Sequence, residues 1–235
     1  MARSSAETAA VRQGIAVGVS AAAYGISYGA LAVAAGLDVW QTSVMSLVMF
    51  TGGSQFALVG VLATGGTAAG ASAISAAAIL GIRNGIYGIR MAPIIGGGRW
   101  RRFAAAWVTI DESTAVAVTQ PDRRSQLVGF WVTAAATFVG WNITSVIGAL
   151  IGNALGDPRV YGLDAAAAAA FLGLLWPRLR QLQTIAVAAA AAVVAVALTP
   201  VLIPGLPVLV AAAVAILVGA FNWFGSRDSQ AGSPA

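Results

Sequence analysis

Thr51-Gly52-Gly53-Ser54-Gln55-Phe56 lies in the middle of an apolar run from Gln41 to Thr64. Hydrocarbon gives the backbone no hydrogen-bond partner, so a membrane span is normally an unbroken helix. Two adjacent glycines weaken a helix, and a serine and a glutamine add polarity where there is no water. A chain tolerates that at membrane depth only where the segment is packed in protein or lines a cavity. Two readings follow. One is a broken helix in a transport pathway, with Gly52-Gly53 unwound. The other is a glycine-faced packing seam held by one interhelical hydrogen bond from Gln55.

The composition decides the setting. Of the 235 residues, 59% are hydrophobic and 9% are charged, and the mean hydropathy is +0.84. Soluble domains carry about 25% charged residues. The expected fold is therefore an all-α integral membrane protein, a polytopic bundle of about seven or eight segments with broken or re-entrant helices. No stretch is left for a soluble domain. Residues 1–13 read as a cytoplasmic N-terminal tail, 14–223 as a single transmembrane domain and 224–235 as a polar C-terminal tail. The apolar run from Gly14 to Leu37 is longer than the core of a usual cleavable signal. Cysteine and histidine are absent, which removes disulfides, thiolate chemistry and imidazole catalysis. No metal or other cofactor is expected. The net charge of +5, all of its cations arginine, fits loop bias in a bilayer protein rather than nucleic-acid binding. Trp40, Trp100, Trp176 and Trp223 fall near span ends, where interfacial anchors belong.

Spans need about 20 apolar residues. Candidates run over 14–36, 41–64, 67–96, 102–120, 125–154, 161–176, 182–199 and 205–223, with 161–176 short enough to be a half-span. Asp164 is a candidate cap before the alanine run 165–170, and Pro200, Pro204 and Pro207 predict a tight turn. If all eight segments cross and the N-terminus is cytoplasmic, Arg99, Arg101 and Arg102 fall outside, against the positive-inside rule. Treating 67–96 and 102–120 as segments that enter and return removes the conflict. The pairs Gly14/Gly18, Gly25/Gly29, Gly66/Gly70, Gly81/Gly85, Gly148/Gly152 and Gly152/Gly156 predict close helix packing.

Polar groups converge at mid-depth. Arg83 and Asn84 interrupt the third segment, and Asp111 and Glu112 the fourth. Counted from the shared turn near 97–101, they lie at similar depth, so an Arg–carboxylate pair would offset part of each burial cost. Tyr87 shares the face of Arg83. Gln55 is central in its segment, and Trp141-Asn142 in theirs. Intramembrane ionisable groups mark pathways more often than they serve as structure. Candidate substrate contacts are thus Gly52, Gly53, Ser54, Gln55, Tyr87, Trp141 and Asn142; candidate coupling or ion-pair residues are Arg83, Asn84, Asp111 and Glu112. A membrane enzyme is disfavoured. Asp111 and Glu112 project about 100° apart on a helix, and there is no HExxH, no nucleophile with a base and no phosphate-cradling loop. A non-transporting scaffold would not need costly polar groups at that depth.

These motifs occur in an order that resembles AzlC-family permeases, the large subunit of LIV-E type (BrnF-like) branched-chain amino acid exporters. The resemblance is carried by Tyr24-Gly25-Ile26-Ser27-Tyr28-Gly29-Ala30, then Ser46 and Gly53-Ser54-Gln55-Phe56, then Arg83-Asn84, Tyr87-Gly88 and Ala92-Pro93. Asp111-Glu112, Trp141, Asp157-Pro158 and Gly162-Leu163-Asp164 follow. It covers about residues 14–180. Asn84 stands where the family has histidine, Ala23 where it often has proline, and Ile110 separates Thr109 from Asp111. The resemblance implies a secondary exporter of Leu, Ile, Val and Met in the cell membrane, partnered by a small AzlD-like membrane subunit. With no nucleotide-binding motif, coupling to an ion or proton gradient is expected, not to ATP.

Overall fold

A computed structural model describes residues 4–155, 172–173, 175–176, 179–202 and 206–221. Every regular element among them is helical. In chain order these are α1 (Ser5–Ala34), α2 (Val39–Val48), α3 (Gly52–Gly65), a 3-10 turn (Gly66–Ala69), α4 (Gly70–Ile95), α5 (Arg99–Trp107), α6 (Asp111–Val118), α7 (Arg123–Leu155), α8 (Leu182–Leu198) and α9 (Leu206–Phe221). The first begins nine residues before the expected span. Ser4 and Glu7 form a reciprocal capping box that starts it, so most of the expected tail is helix. Asp38 and Gln41 start α2 in the same way. Asp122 starts α7, its carboxylate accepting from the N–H groups of Arg124 and Ser125. These bonds, first of all that from Ser125, hold the exposed Asp122 carboxyl below its ordinary titration range. The 161–176 half-span, the Asp164 cap, Gly156, Asp157-Pro158 and the C-terminal tail lie wholly or largely outside the described residues.

The spine of the molecule is the pair α1 and α7, which lie parallel. Gly14, Gly18, Gly25 and Gly29 of α1 face Thr133, Ala136, Thr144 and Ser145 of α7 in turn. From the other side, Gly140, Gly148 and Gly152 face Ala22, Ile26 and Ala30. The backbones touch: a Cβ at Gly29 would meet the Ser145 carbonyl, and one at Gly148 the Ile26 carbonyl. Thr144 adds a hydrogen bond to the Ala22 carbonyl at 2.6 Å. Here the small-residue repeats do what they do in bilayers, letting two helices approach where dispersion replaces the hydrophobic effect. Gly66/Gly70 and Gly81/Gly85 take no part: Gly66 turns the chain at φ 58°, and Gly85 faces open space.

Contacts along this spine set the depth of everything else. Arg124 pairs with Glu7, and Gln120 donates to Gln13 at 2.9 Å, at the end where α1 and α7 begin. Arg123 donates to the Ile94 carbonyl at the end of α4, so α4 finishes at that same face. It runs antiparallel to the spine. Thr42 near the start of α2 meets Tyr28, close to the far end of α1, whereas Phe50 just beyond α2 meets the Phe138 ring edge-on in mid-span. From there α3 turns back: Gly52 lies against Trp141, Phe56 against Tyr28, and Val59 in a cluster with Leu31 and Ala32. The pair α2–α3 therefore enters from the far face, stops at mid-depth and returns. The pair α5–α6 does the same from the near face. Trp107 reaches the Leu47 carbonyl in mid-span, Asp111 meets Arg83, and Ala117 returns to a cluster with Met91, Ile95 and Phe130. Their lengths agree: α2 and α5, with 10 and 9 residues, rise about 15 Å each, half of a hydrocarbon core of about 30 Å.

This corrects three expectations. The segment 67–96 crosses and does not return; the returning segments are 39–65 and 99–118. Arg99, Arg101 and Arg102 consequently share a face with Arg12, Arg123 and Arg124. And the break in the first hairpin is Met49 to Thr51, while Gly52 and Gly53 are the first helical residues of α3. Three helical stretches, Ser5–Ala34, Gly52–Ile95 and Arg123–Leu155, are long and apolar enough to cross a membrane. The long helix plus hairpin α1–α2–α3 is followed by the same arrangement upside down in α4–α5–α6, an inverted-repeat plan. Beyond it, α8 and α9 pack as a hairpin, with Gln183 donating to the Val218 carbonyl at 3.1 Å, and Leu209 joins the α3–α4 cluster.

Candidate functional site

Where the tips of the two hairpins meet, the chain forms a half-open cavity of about 430 Å³. That is within the range of small-ligand sites. Two helix N-termini reach it, α3 with Thr51, Gly52 and Gly53, and α6 with Ile110, Asp111 and Glu112. The opening N–H groups of a helix have no intrahelical acceptor and carry the positive end of its dipole. Thr51 gives α3 no side-chain cap. In α6 the Ser113 hydroxyl accepts from the Ile110 N–H at 3.0 Å, so one donor there is already used.

The walls are built from both repeats and the spine. Arg83 and Asp111 form an ion pair at 2.9 Å, each about 30% exposed. Arg83 also keeps a buried Nε without a partner. Glu112 lines the cavity beside them and forms no ion pair among the described residues. Phe50, Phe56, Leu80, Ile110 and Trp141 supply apolar wall. The two glycines are explained by what lies on them. A Cβ at Gly52 would sit 2.7 Å from the Trp141 ring, and one at Gly53 would sit 2.5 Å from Arg83 Nη2. They let an indole and a guanidinium lie directly on the start of α3.

Gln55 has a different place from the one expected. It is fully buried and outside the cavity lining. Its Nε2 donates to the Met49 carbonyl at 2.7 Å, and its Oε1 accepts from Trp141 Nε1 at 2.8 Å. The Met49 carbonyl also accepts from the Thr51 N–H at 2.8 Å, so the amide braces the turn with a second bond and locks the hairpin tip to α7. Trp107 Nε1 donates to the Leu47 carbonyl at 3.2 Å, pairing a carbonyl at the end of α2. Without such partners, unwound backbone at this depth would be costly. Tyr28 stacks on Trp141 with ring centroids 6.1 Å apart, and Phe56 meets both rings edge-on. Ser54 faces Gly81 with its hydroxyl unpartnered. Tyr87, Asn84 and Asn142 stand outside the lining; Asn142 donates to the Phe138 carbonyl at 2.8 Å.

Of the expected site residues, the fold brings Gly52, Gly53, Arg83, Asp111, Glu112 and Trp141 to one cavity. It adds two polar residues that were not among the expected site residues. Tyr24 reaches the cavity from α1. Thr137 lines it from α7, 2% exposed and with its Oγ1 unpartnered. Thr137 is four residues before Trp141, the same helical face, which is the signal that could have found it. Together the walls offer N–H groups and a guanidinium for an anionic group, a carboxylate for a cationic one and an aromatic–aliphatic surface for an apolar side chain.

No curated protein and no solved structure matches this chain. A protein family does: the AzlC protein family matches residues 16–155, more than half of the chain and the part that contains both hairpins, the spine and the cavity. The chain belongs to the AzlC family, a membrane-transport family linked to branched-chain amino acids.

Proposed function

We propose that this protein is a secondary-active exporter of leucine, isoleucine, valine and methionine, acting in the cell membrane with a small AzlD-like membrane subunit. The observation that supports this reading is the cavity between the two hairpin tips. Each tip is reached by a re-entrant helix from a different face, which is the plan of alternating-access carriers. The substrate carboxylate takes the N–H groups of Gly52 and Gly53, with Arg83 beside them. Its apolar side chain lies among Phe50, Phe56 and Trp141. Gln55 acts from behind this surface, holding the first tip on α7, and Ser54, Tyr87, Asn84 and Asn142 stand outside the lining. Arg12, Arg99, Arg101, Arg102, Arg123 and Arg124 share one face, which makes that face and the N-terminus cytoplasmic. The driving force is a proton or ion gradient, since no nucleotide-binding motif is present.

The test is reconstitution with the accompanying small subunit in sealed vesicles loaded with labelled leucine. Efflux should depend on an imposed proton gradient and be competed by isoleucine and valine. Complete absence of flux, with the proteins folded and correctly inserted, would overturn the reading in favour of a scaffold.

A further inference from the structure

We infer that Glu112 is a shared site for the substrate ammonium group and for a proton, so that binding one expels the other. The inference deepens the functional reading above and rests on it. One guanidinium and two carboxylates stand together on the cavity wall, and Arg83 is engaged by Asp111 at 2.9 Å. This leaves one negative charge, on Glu112, uncompensated by any ion pair among the described residues. A lone charge at membrane depth is unfavourable and calls for a counter-ion or a proton. Across the cavity, α7 offers the buried Thr137 hydroxyl without a partner, and α3 its uncapped N-terminus. These are independent signs that the space takes a polar ligand. A zwitterion satisfies all three at once, with its carboxylate toward α3 and Thr137 and its ammonium on Glu112.

Among the described residues, the charged and titratable groups around Glu112 are three: Asp111 on its own helix, Arg83 from α4 and Tyr24 from α1; α3 and α7 bring no ionisable side chain to the cavity lining. Glu112 is thus the carboxylate on this wall free to change state without breaking the ion pair. An ammonium ion and a proton cannot both occupy the carboxylate. When a zwitterion binds protonated Glu112, the O–H bond breaks heterolytically, the proton passes to water, and the carboxylate pairs with the ammonium. After release on the far side, a proton re-forms the O–H bond for the return. Each cycle then moves one neutral zwitterion out and one positive charge in, which makes the carrier an electrogenic antiporter.

The experiment is calorimetric titration of leucine into the full chain, purified with its accompanying subunit, from pH 5 to 8 in buffers of differing ionisation enthalpy. We expect leucine to release close to one proton per molecule bound at the acid end. Its Kd should rise about ten-fold per pH unit below the titration of Glu112. E112Q should bind leucine more weakly and without proton release, and E112D should retain the pH dependence. Leucine binding that is independent of pH in the unmutated chain, or proton release that persists in E112Q, overturns the shared site and leaves the exporter reading standing. Failure of leucine to bind at any pH overturns both. The proton count on the unmutated chain decides the matter even if neither variant is recovered.

Discussion

A side chain at Gly53 falls where Arg83 Nη2 lies, 2.5 Å from its Cβ, so the guanidinium whose Nη1 pairs with Asp111 has to shift. Gly53→Leu should abolish leucine efflux while the protein still reaches the membrane, and should lower its melting temperature in detergent by the equivalent of about 1–3 kcal/mol. The ion pair makes its own prediction. Removing one partner of a fully buried pair costs about 3–5 kcal/mol through the stranded charge. With each partner about 30% exposed, the cost here should fall below that range. Arg83→Gln combined with Asp111→Asn strands no charge, so it should melt higher than Arg83→Gln or Asp111→Asn alone. Equal melting of the double and both single variants would show that the two side chains do not interact in the membrane.

At the scale of elements, the first hairpin depends on one amide. Gln55 holds the Met49 carbonyl and the Trp141 indole at once. Gln55→Leu leaves the Trp141 indole N–H unpaired, the Met49 carbonyl keeping the Thr51 N–H at 2.8 Å, while Trp141→Phe leaves the Gln55 oxygen unpaired. Each change strands one buried group, so each should cost about 1–3 kcal/mol, read by thermal unfolding in detergent. The spine is tested by glycines of opposite surroundings. Gly148→Ala forces a Cβ into the Ile26 backbone and should impair folding, measured as loss of monodisperse protein. Gly85→Ala meets nothing within 4 Å and replaces a helical glycine, so it should be neutral or stabilising by about 0.5–1 kcal/mol.

The whole molecule is an argument about sides. The absence of native cysteine makes single-cysteine labelling clean. Arg101→Cys and Arg123→Cys, at the base of the second hairpin and the start of α7, should react with an impermeant maleimide from the same face. Thr67→Cys, in the turn after α3, should react from the opposite face. Labelling of Arg101→Cys and Thr67→Cys from one face would mean that α4 does not cross, and the inverted arrangement of the two hairpins would fall with it.

Much of this was legible before any coordinates, for physical reasons that can be named. Hydrocarbon admits neither free backbone nor free charge, so an apolar chain with Gly-Gly-Ser-Gln, Arg83 and Asp111-Glu112 at mid-span had to be an all-helical membrane protein with interrupted segments. Helix rise alone placed Arg83 level with Asp111. What the sequence could not decide was direction at each break. A segment that crosses and one that returns have the same hydropathy, so 41–64 read as a crossing and 67–96 as a returning segment, the reverse of what the contacts show, while 102–120 does return. Nor could it decide which polar residues face the cavity. Gln55 and Glu112 are both mid-depth and polar in the sequence. Only the tertiary structure turns Gln55 inward, because the buried Trp141 indole N–H needs an acceptor there, and leaves Glu112 on the wall, because Asp111 has already taken the arginine.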